Sequence, residues 1–360
     1  MFLYICTLGL SLIFAILYNV VKYNKKHVLR LLLGILILML LLLSILRKNT
    51  VGGDLINYIP LYDTIAKSSF GEALAIPKYG IIYLFYNKIL TLLSPNEFTF
   101  MLGTSLVNPL PAFWLIIKYS KIPLLSIFLY VSIGYYTNTF NSVRSSMAIA
   151  ITICCIPYIL ERKFYSFLFL YILALCVHLS SFPFILTYWV VNLKLSFKRI
   201  ISLIVFSYLL SESVSNWIIG YLYLYDPVYD KFESTTGGYS YFFMLFFIFI
   251  SGYIIYNQNK DKNISKENDL FLRVMLIATC IQPFAFHFML INRIVLFFSV
   301  YIIIFIPNFI LYIRSTKIRI LGHFIVYVFF VLFFIKIIMG INPEYNSNGQ
   351  MTIPYLFYWE

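Results

Sequence analysis

The sequence predicts a single all-α domain over residues 1–360, a polytopic bundle of membrane-spanning helices with no soluble part. Three observations carry this reading: a composition too apolar for water, apolar segments that follow one another almost without pause, and clusters of basic residues in alternate loops. Of the residues, 61% are hydrophobic, 20% aromatic and only 11% charged, whereas soluble domains carry roughly a quarter charged residues. A fold in water could not hide so much apolar surface and would aggregate. Lipid solvates that surface instead.

Thirteen apolar segments follow in order: 2–21, 31–46, 79–93, 98–117, 122–137, 145–160, 164–177, 181–193, 200–220, 240–256, 271–291, 294–313 and 320–340. The first has no basic residues ahead of it and Lys22, Lys25, Lys26 and Arg30 behind it, so it reads as a retained span rather than a cleaved signal. All are read as helices, because a lone apolar run in lipid must satisfy its own backbone. A barrel would alternate over strands of about ten residues. Segments 164–177 and 181–193 are short, and their outer flanks are both basic. They form a helical hairpin whose turn, His178 to Ser181, lies deep in the protein or near its outer face. Irregular backbone survives at that depth only when it is buried or lines a wet cavity.

Orientation follows from the basic loops. Lys22 to Arg30, Arg162 with Lys163, Lys194 to Arg199, Lys260 to Lys266 and Arg314 to Arg319 belong on the cytoplasmic side. Both termini, the loops 47–78 and 221–239, and the stretch 138–144 then lie outside, giving about twelve spans and one possible re-entrant segment. Most carboxylates fall in these outer stretches, and Tyr and Trp crowd their borders. Lys118 and Lys121 also ask to be inside, which requires an odd number of crossings between 79 and 117, where two segments stand. Either one of them is re-entrant or this small basic pair is an exception to the rule; Asn108-Pro109-Leu110-Pro111 would break a helix, which makes 98–117 a candidate re-entrant piece.

Charges inside or beside spans are costly and mark candidate sites. Asp54 follows Gly52 and Gly53, residues that allow close backbone approach to a ligand. Held among arginines, its carboxylate suits a general base toward a sugar hydroxyl; as the first residue of a half-apolar stretch, 55–67, it suits an N-cap equally well. Arg144 and Arg293 carry planar forks matched to phosphate or diphosphate oxygens. Snorkelling from a helix end is the alternative, weakened because both fall on the outer side, where basic residues are disfavoured. Arg47, seven residues before Asp54, is a further candidate. His178 and His287 are candidate acid–base groups or hydrogen-bonded packing residues. Tyr225 and Tyr229, among the carboxylates of loop 221–239, form either a sugar-stacking surface or an interfacial aromatic belt.

Other chemistries are set aside. The chain has no Walker loop, HExxH or paired-cysteine metal site, and no GxSxG elbow, so neither a metal nor a cofactor is expected. The five cysteines lie in apolar runs without paired spacing and read as buried thiols. The net charge of +13 sits in short loops and implies membrane lipid rather than nucleic acid as the partner. With no cytoplasmic domain to hold a nucleotide-sugar, the substrate enters from the membrane.

The order Arg47, Gly53-Asp54 and Tyr58, then Asn141 with Arg144 to Ala148, then Val177-His178 with Ser180-Ser181, then Asn292-Arg293 resembles the EpsG family of Wzy-type polysaccharide polymerases over roughly residues 47 to 313. The resemblance implies a bacterial cytoplasmic-membrane enzyme of O-antigen, capsule or exopolysaccharide assembly, with a fold similar to C-type glycosyltransferases. It implies polymerisation of oligosaccharide units carried on undecaprenyl diphosphate at the outer face, beside a flippase and a chain-length regulator. On that reading Arg144 and Arg293, with Arg47 assisting, neutralise the diphosphate leaving group. Asp54, or His178 as second choice, takes the acceptor proton, while Tyr58, Asn141, Tyr225 and Tyr229 contact glycan. The family commonly carries an acid before its third span; Lys78 stands there in this chain. The rival readings are a flippase that binds diphosphate without chemistry and a glycosyltransferase that adds one sugar from a polyprenyl phosphate.

Overall fold

The computed structural model describes residues 2–20, 25–193, 195–224, 238–259, 264–339, 341–342, 347–348 and 352–360. Helices α1 (Phe2–Val20) and α2 (Lys25–Ile45) form a first antiparallel pair. Four short helices then pack on one another: α3 (Leu55–Lys67), α4 (Phe70–Leu74), α5 (Ile81–Leu93) and α6 (Glu97–Val107). Continuing from α6, α7 (Leu110–Tyr119), α8 (Pro123–Ser132), α9 (Tyr135–Asn141), α10 (Val143–Cys154) and α11 (Ile156–Leu160) make three broken passes. Along α10 packs α12 (Phe164–Val177), and a 3-10 turn over Leu179–Ile185 leads into α13 (Leu186–Val190). The second half holds α14 (Phe197–Tyr223), α15 (Tyr239–Gln258), α16 (Lys266–Ile281), α17 (Ile291–Ser299), α18 (Ile302–Phe309) and α19 (Thr316–Met339). Two-residue strands β1 (Ile341–Asn342) and β2 (Ser347–Asn348) pair antiparallel after it.

The protein is therefore an all-α polytopic membrane bundle. Among the described residues, eight helical stretches are long and apolar enough to cross a bilayer. Their burial sorts them into layers. Lys266–Phe286 and Ile291–Tyr312 are each 78% buried and form the centre, while Thr316–Ile337, only 11% buried, stands at the rim. Central helices carry the side chains that meet other protein; rim helices such as α19 present leucine, isoleucine and phenylalanine to lipid.

Hydrogen bonds between elements distinguish two ends. At one, Asn308 joins the Tyr119 carbonyl, the Lys121 amide and Asn268, while Asn268 and Asn259 both meet Tyr312. Arg314 reaches the Gln258 carbonyl at the same end. Lys121 thus lies with the other basic loops, in keeping with its charge. At the opposite end, Asn49 meets Glu97 at 3.0 Å, the Asp54 amide meets Asn141, and Tyr355 returns to the Leu43 carbonyl.

These contacts correct the expectation that 98–117 turns back. The piece that begins and ends on one side is α5. Its start at Gly80 packs on the carbonyls of Cys176 and Val177, and the chain beyond it returns to Asn49 through Glu97. At 1.5 Å per residue its 13 residues run only about 20 Å, short of the roughly 30 Å hydrocarbon layer. Lys88 in its middle is buried and donates to the carbonyls of Ile65 and Ser68, so α5 lies along the end of α3. The prolines of the 108–111 stretch do interrupt the helix, yet α6 and α7 continue as one 23-residue stretch, Glu97–Tyr119. Asn108 Nδ2 donates across the break to the Val143 carbonyl at 3.2 Å, tying it to the start of α10.

Candidate functional site

Four of the residues marked by the sequence converge at the end away from the basic loops. A cavity of about 760 Å³ is lined by Lys78, Tyr79 and Gly80 before α5, Arg144 on α10, His178 and Ser180 at the hairpin turn, and Arg293 on α17. Apolar residues from α14 and α17, among them Leu222 and Ile294, complete the wall. Asp54 stands beside this wall, close enough for the charges of Arg293 and Arg144 to act on it.

Local chemistry places each group. Gly52 holds φ +122°, and a Cβ there would meet the Phe140 carbonyl at 2.4 Å, so a side chain at this position is excluded by both strain and space. The turn it makes sets the Asp54 amide 3.1 Å from Asn141 Oδ1, to which it donates. Asp54 is the N-cap residue of α3, but its carboxylate makes no cap bond. Burial pushes the Asp54 carboxyl above its usual range, against the pull of Arg293 and Arg144. A carboxylate so placed is a better proton acceptor than a solvated one.

Arg144 is fixed on two sides. Its Nε donates to Tyr58 Oη at 3.2 Å and one terminal nitrogen donates to the Lys78 carbonyl at 3.0 Å. The guanidinium plane lies 4.8 Å from the centre of the Tyr79 ring, a cation–π contact. Tyr58, 6% exposed, thus offers its hydroxyl to Arg144, and Asn141 offers its carbonyl oxygen to the Asp54 amide. Arg293 opens α17, and its neighbour Asn292 accepts from Gln282 at 2.9 Å.

His178 ends α12 with its Nδ1 accepting from the Ser180 amide at 3.1 Å, while Ser181 Oγ donates to its carbonyl. Burial, then Arg144 and Arg293, push the imidazole down to about 4, so it is neutral near pH 7. An Nδ1 that accepts leaves the ring proton on Nε2. In this arrangement His178 presents a hydrogen-bond donor at Nε2.

Arg47 is not brought to this cavity. It is 1% exposed, donates from Nη1 to Ser105 Oγ at 2.8 Å and to the Ser44 carbonyl and hydroxyl, leaves Nε without a partner among the described residues, and sits 4.5 Å from the Phe140 ring centre. Gly52 reverses the chain between Arg47 and Asp54 and sends them to different surroundings. Tyr225 and Tyr229 lie outside the described residues. Tyr79 and Gly80 were missed by the sequence reading. Their signal was an aromatic–glycine pair at the mouth of an apolar segment. Gly80 admits no Cβ, which would come within 2.3 Å of the Cys176 carbonyl.

The fold and the cavity define a polytopic membrane protein with a largely apolar chamber at one end of its bundle, into whose wall Lys78, Arg144, His178 and Arg293 are set. Its family is known as well: the EpsG family model matches residues 30–357, and the chain belongs to the EpsG family, a family of Wzy-type polysaccharide polymerases. No curated protein and no solved structure matches the chain.

Proposed function

We propose that the protein joins oligosaccharide units carried on undecaprenyl diphosphate, with the cavity opening to the outer face of the cytoplasmic membrane. The observation that carries this reading is the pairing of Arg144 and Arg293 in the wall of one cavity beside Asp54. In the reaction, a hydroxyl of the acceptor unit attacks the anomeric carbon of the donor chain. The new glycosidic C–O bond forms as the bond from that carbon to the diphosphate oxygen breaks. Asp54 accepts the hydroxyl proton, and polyprenyl diphosphate leaves with the electron pair. Arg144 and Arg293 meet the charge that grows on the leaving oxygens, the kind of preorganised stabilisation that supplies most of many rate enhancements. His178 donates from Nε2 to the same anion or to a sugar oxygen. The outer-face assignment rests on the basic loops at the opposite end.

The test is purified protein in detergent with lipid-diphosphate-linked units and the single variants Asp54→Asn, Arg144→Ala and Arg293→Ala. Wild type forms a ladder of long glycan, and each variant forms far less polymer in the same time at equal protein amounts. Normal ladders from all three would refute the assignment. A single added sugar, or no polymer from the wild type without a second compartment, would favour the one-step transferase or the flippase.

A further inference from the structure

A second, apolar hollow lies on the rim of the bundle. Helices α15, α18 and α19 enclose a groove of about 630 Å³, and apart from Ser240 and Ser251 its walls are aliphatic, aromatic or glycine. Two glycines shape it: the Phe305 ring packs into the space at Gly252, where a Cβ would overlap it, and Gly322 brings α19 into contact range of Ile310 and Ile313. Because α19 is scarcely buried, the groove stays open along its length. On α15 it runs from Ser240 to Ile255, which at 1.5 Å per residue is about 22 Å, most of the hydrocarbon depth.

One end of the groove differs from the other. Lys336 Nζ donates to Ser240 Oγ at 3.4 Å, setting an exposed cation and a hydroxyl at the mouth. That mouth is on the side of the reaction cavity. Two residues before Ser240, the Gly238 carbonyl accepts from Gln282, whose other partner is Asn292, the neighbour of Arg293. A long hydrocarbon tail with an anionic head fits both features: the tail in the groove, the head at Lys336.

We infer that this groove is a second carrier-lipid site, which takes the polyprenyl chain of one substrate with its phosphate against Lys336 and Ser240. The inference rests on the proposed function in one respect. Joining two lipid-borne units requires two carriers bound at once, and the cavity lined by Lys78, Arg144 and Arg293 is a single chamber. The groove supplies the other berth on the same side of the bundle.

The experiment uses the full chain reconstituted in phosphatidylcholine vesicles doped with polyprenyl monophosphate, released into detergent and weighed by native mass spectrometry. Wild type is expected to retain two polyprenyl phosphates. Gly322→Phe, which fills the groove, and Lys336→Glu, which repels the head, are each expected to retain one, while Arg144→Ala keeps the groove's lipid. Lys336→Glu serves as the arm that leaves packing intact should Gly322→Phe fold poorly. Equal retention by wild type and Lys336→Glu, or phosphatidylcholine alone in the wild-type groove, overturns the inference. Retention of two polyprenyl phosphates by a protein that forms no polymer upholds the groove and refutes the polymerase reading, so the two failures are distinct.

Discussion

Arg47 and Arg144 both sit at the edge of an apolar helix, in stretches that share one family resemblance, yet the bundle treats them in opposite ways. Around Arg47 the chain is closed. Ser44 and Ser105 accept from its Nη1, its Nε is buried without a partner among the described residues, Phe140 lies against the guanidinium, and the C-terminal segment closes the region through the pairs Lys48–Leu356 and Leu46–Tyr358. Around Arg144 two partners fix the guanidinium and a cavity remains in front of it. The difference teaches that a charge in an apolar chain signals importance without saying of what kind. Arg47 is buried and donates from Nη1 while its Nε is left without a partner, whereas Arg144 donates from Nε and one terminal nitrogen and faces a cavity.

The largest expected effect separates the two. Arg144→Ala should leave folded protein at the wild-type amount and lower the rate of polymer formation by roughly 100- to 1,000-fold, as loss of one charge-stabilising donor does elsewhere. Arg47→Ala should do the reverse. It leaves buried hydroxyls without their donor and opens a gap under Phe140, which costs about 2–4 kcal/mol. The folded fraction measured by size-exclusion profile after heating falls, while the rate per folded molecule holds. If Arg47→Ala folds normally and loses its rate, the comparison breaks.

A second, smaller contrast concerns pH. Asp54 must be ionised to accept a proton, and burial raises its carboxyl above the ordinary range, so the rate should fall as pH drops through that raised value. Below it, each unit of pH removes about tenfold of the active form. His178, pushed down to about 4, keeps one charge state across roughly pH 5 to 8. The acid limb of the rate profile should therefore survive in His178→Gln and vanish from the residual rate of Asp54→Asn. A limb lost in His178→Gln would transfer the base role to the histidine.

These contrasts also mark how far the sequence could be read. The helical membrane architecture was legible because hydrophobicity accumulates segment by segment and needs no tertiary information. The behaviour of α5 was not, since a 13-residue apolar run looks the same whether it enters lipid or lies along α3. Only the bonds from Lys88 to Ile65 and Ser68 distinguish the two. Arg144, Arg293, His178 and Asp54 stood out because charge is rare in this chain. Arg47 was drawn to them by a spacing of seven residues, but spacing cannot show that Gly52, at φ +122°, turns the backbone between them. The proline break at 108–111 was visible in the sequence, but what holds it, Asn108 on the Val143 carbonyl, is a contact across 35 residues.

The smallest expected effect tests whether Arg144 is positioned or merely present. Tyr58 contributes one hydroxyl that accepts from Arg144 Nε at 3.2 Å, and its ring is otherwise buried beside Tyr83. Removing that oxygen in Tyr58→Phe keeps the packing and the charge of Arg144. Hydrogen bonds to charged groups are worth about 1.5–3 kcal/mol at most. The second anchor, the Lys78 carbonyl, keeps part of the geometry, so a loss of roughly three- to tenfold is expected, near 1 kcal/mol. The loss should appear in kcat with KM little changed, because the guanidinium still attracts the diphosphate but no longer meets the developing charge at its best angle. Arg144→Lys supplies the comparison: it keeps charge, loses the fork, and should fall below Tyr58→Phe and above Arg144→Ala. Equal rates for Tyr58→Phe and wild type would mean that the Lys78 carbonyl and the Tyr79 ring suffice to aim the guanidinium. The open side of Arg144 would then be set by the strained backbone at Lys78 (φ 70°) rather than by α3.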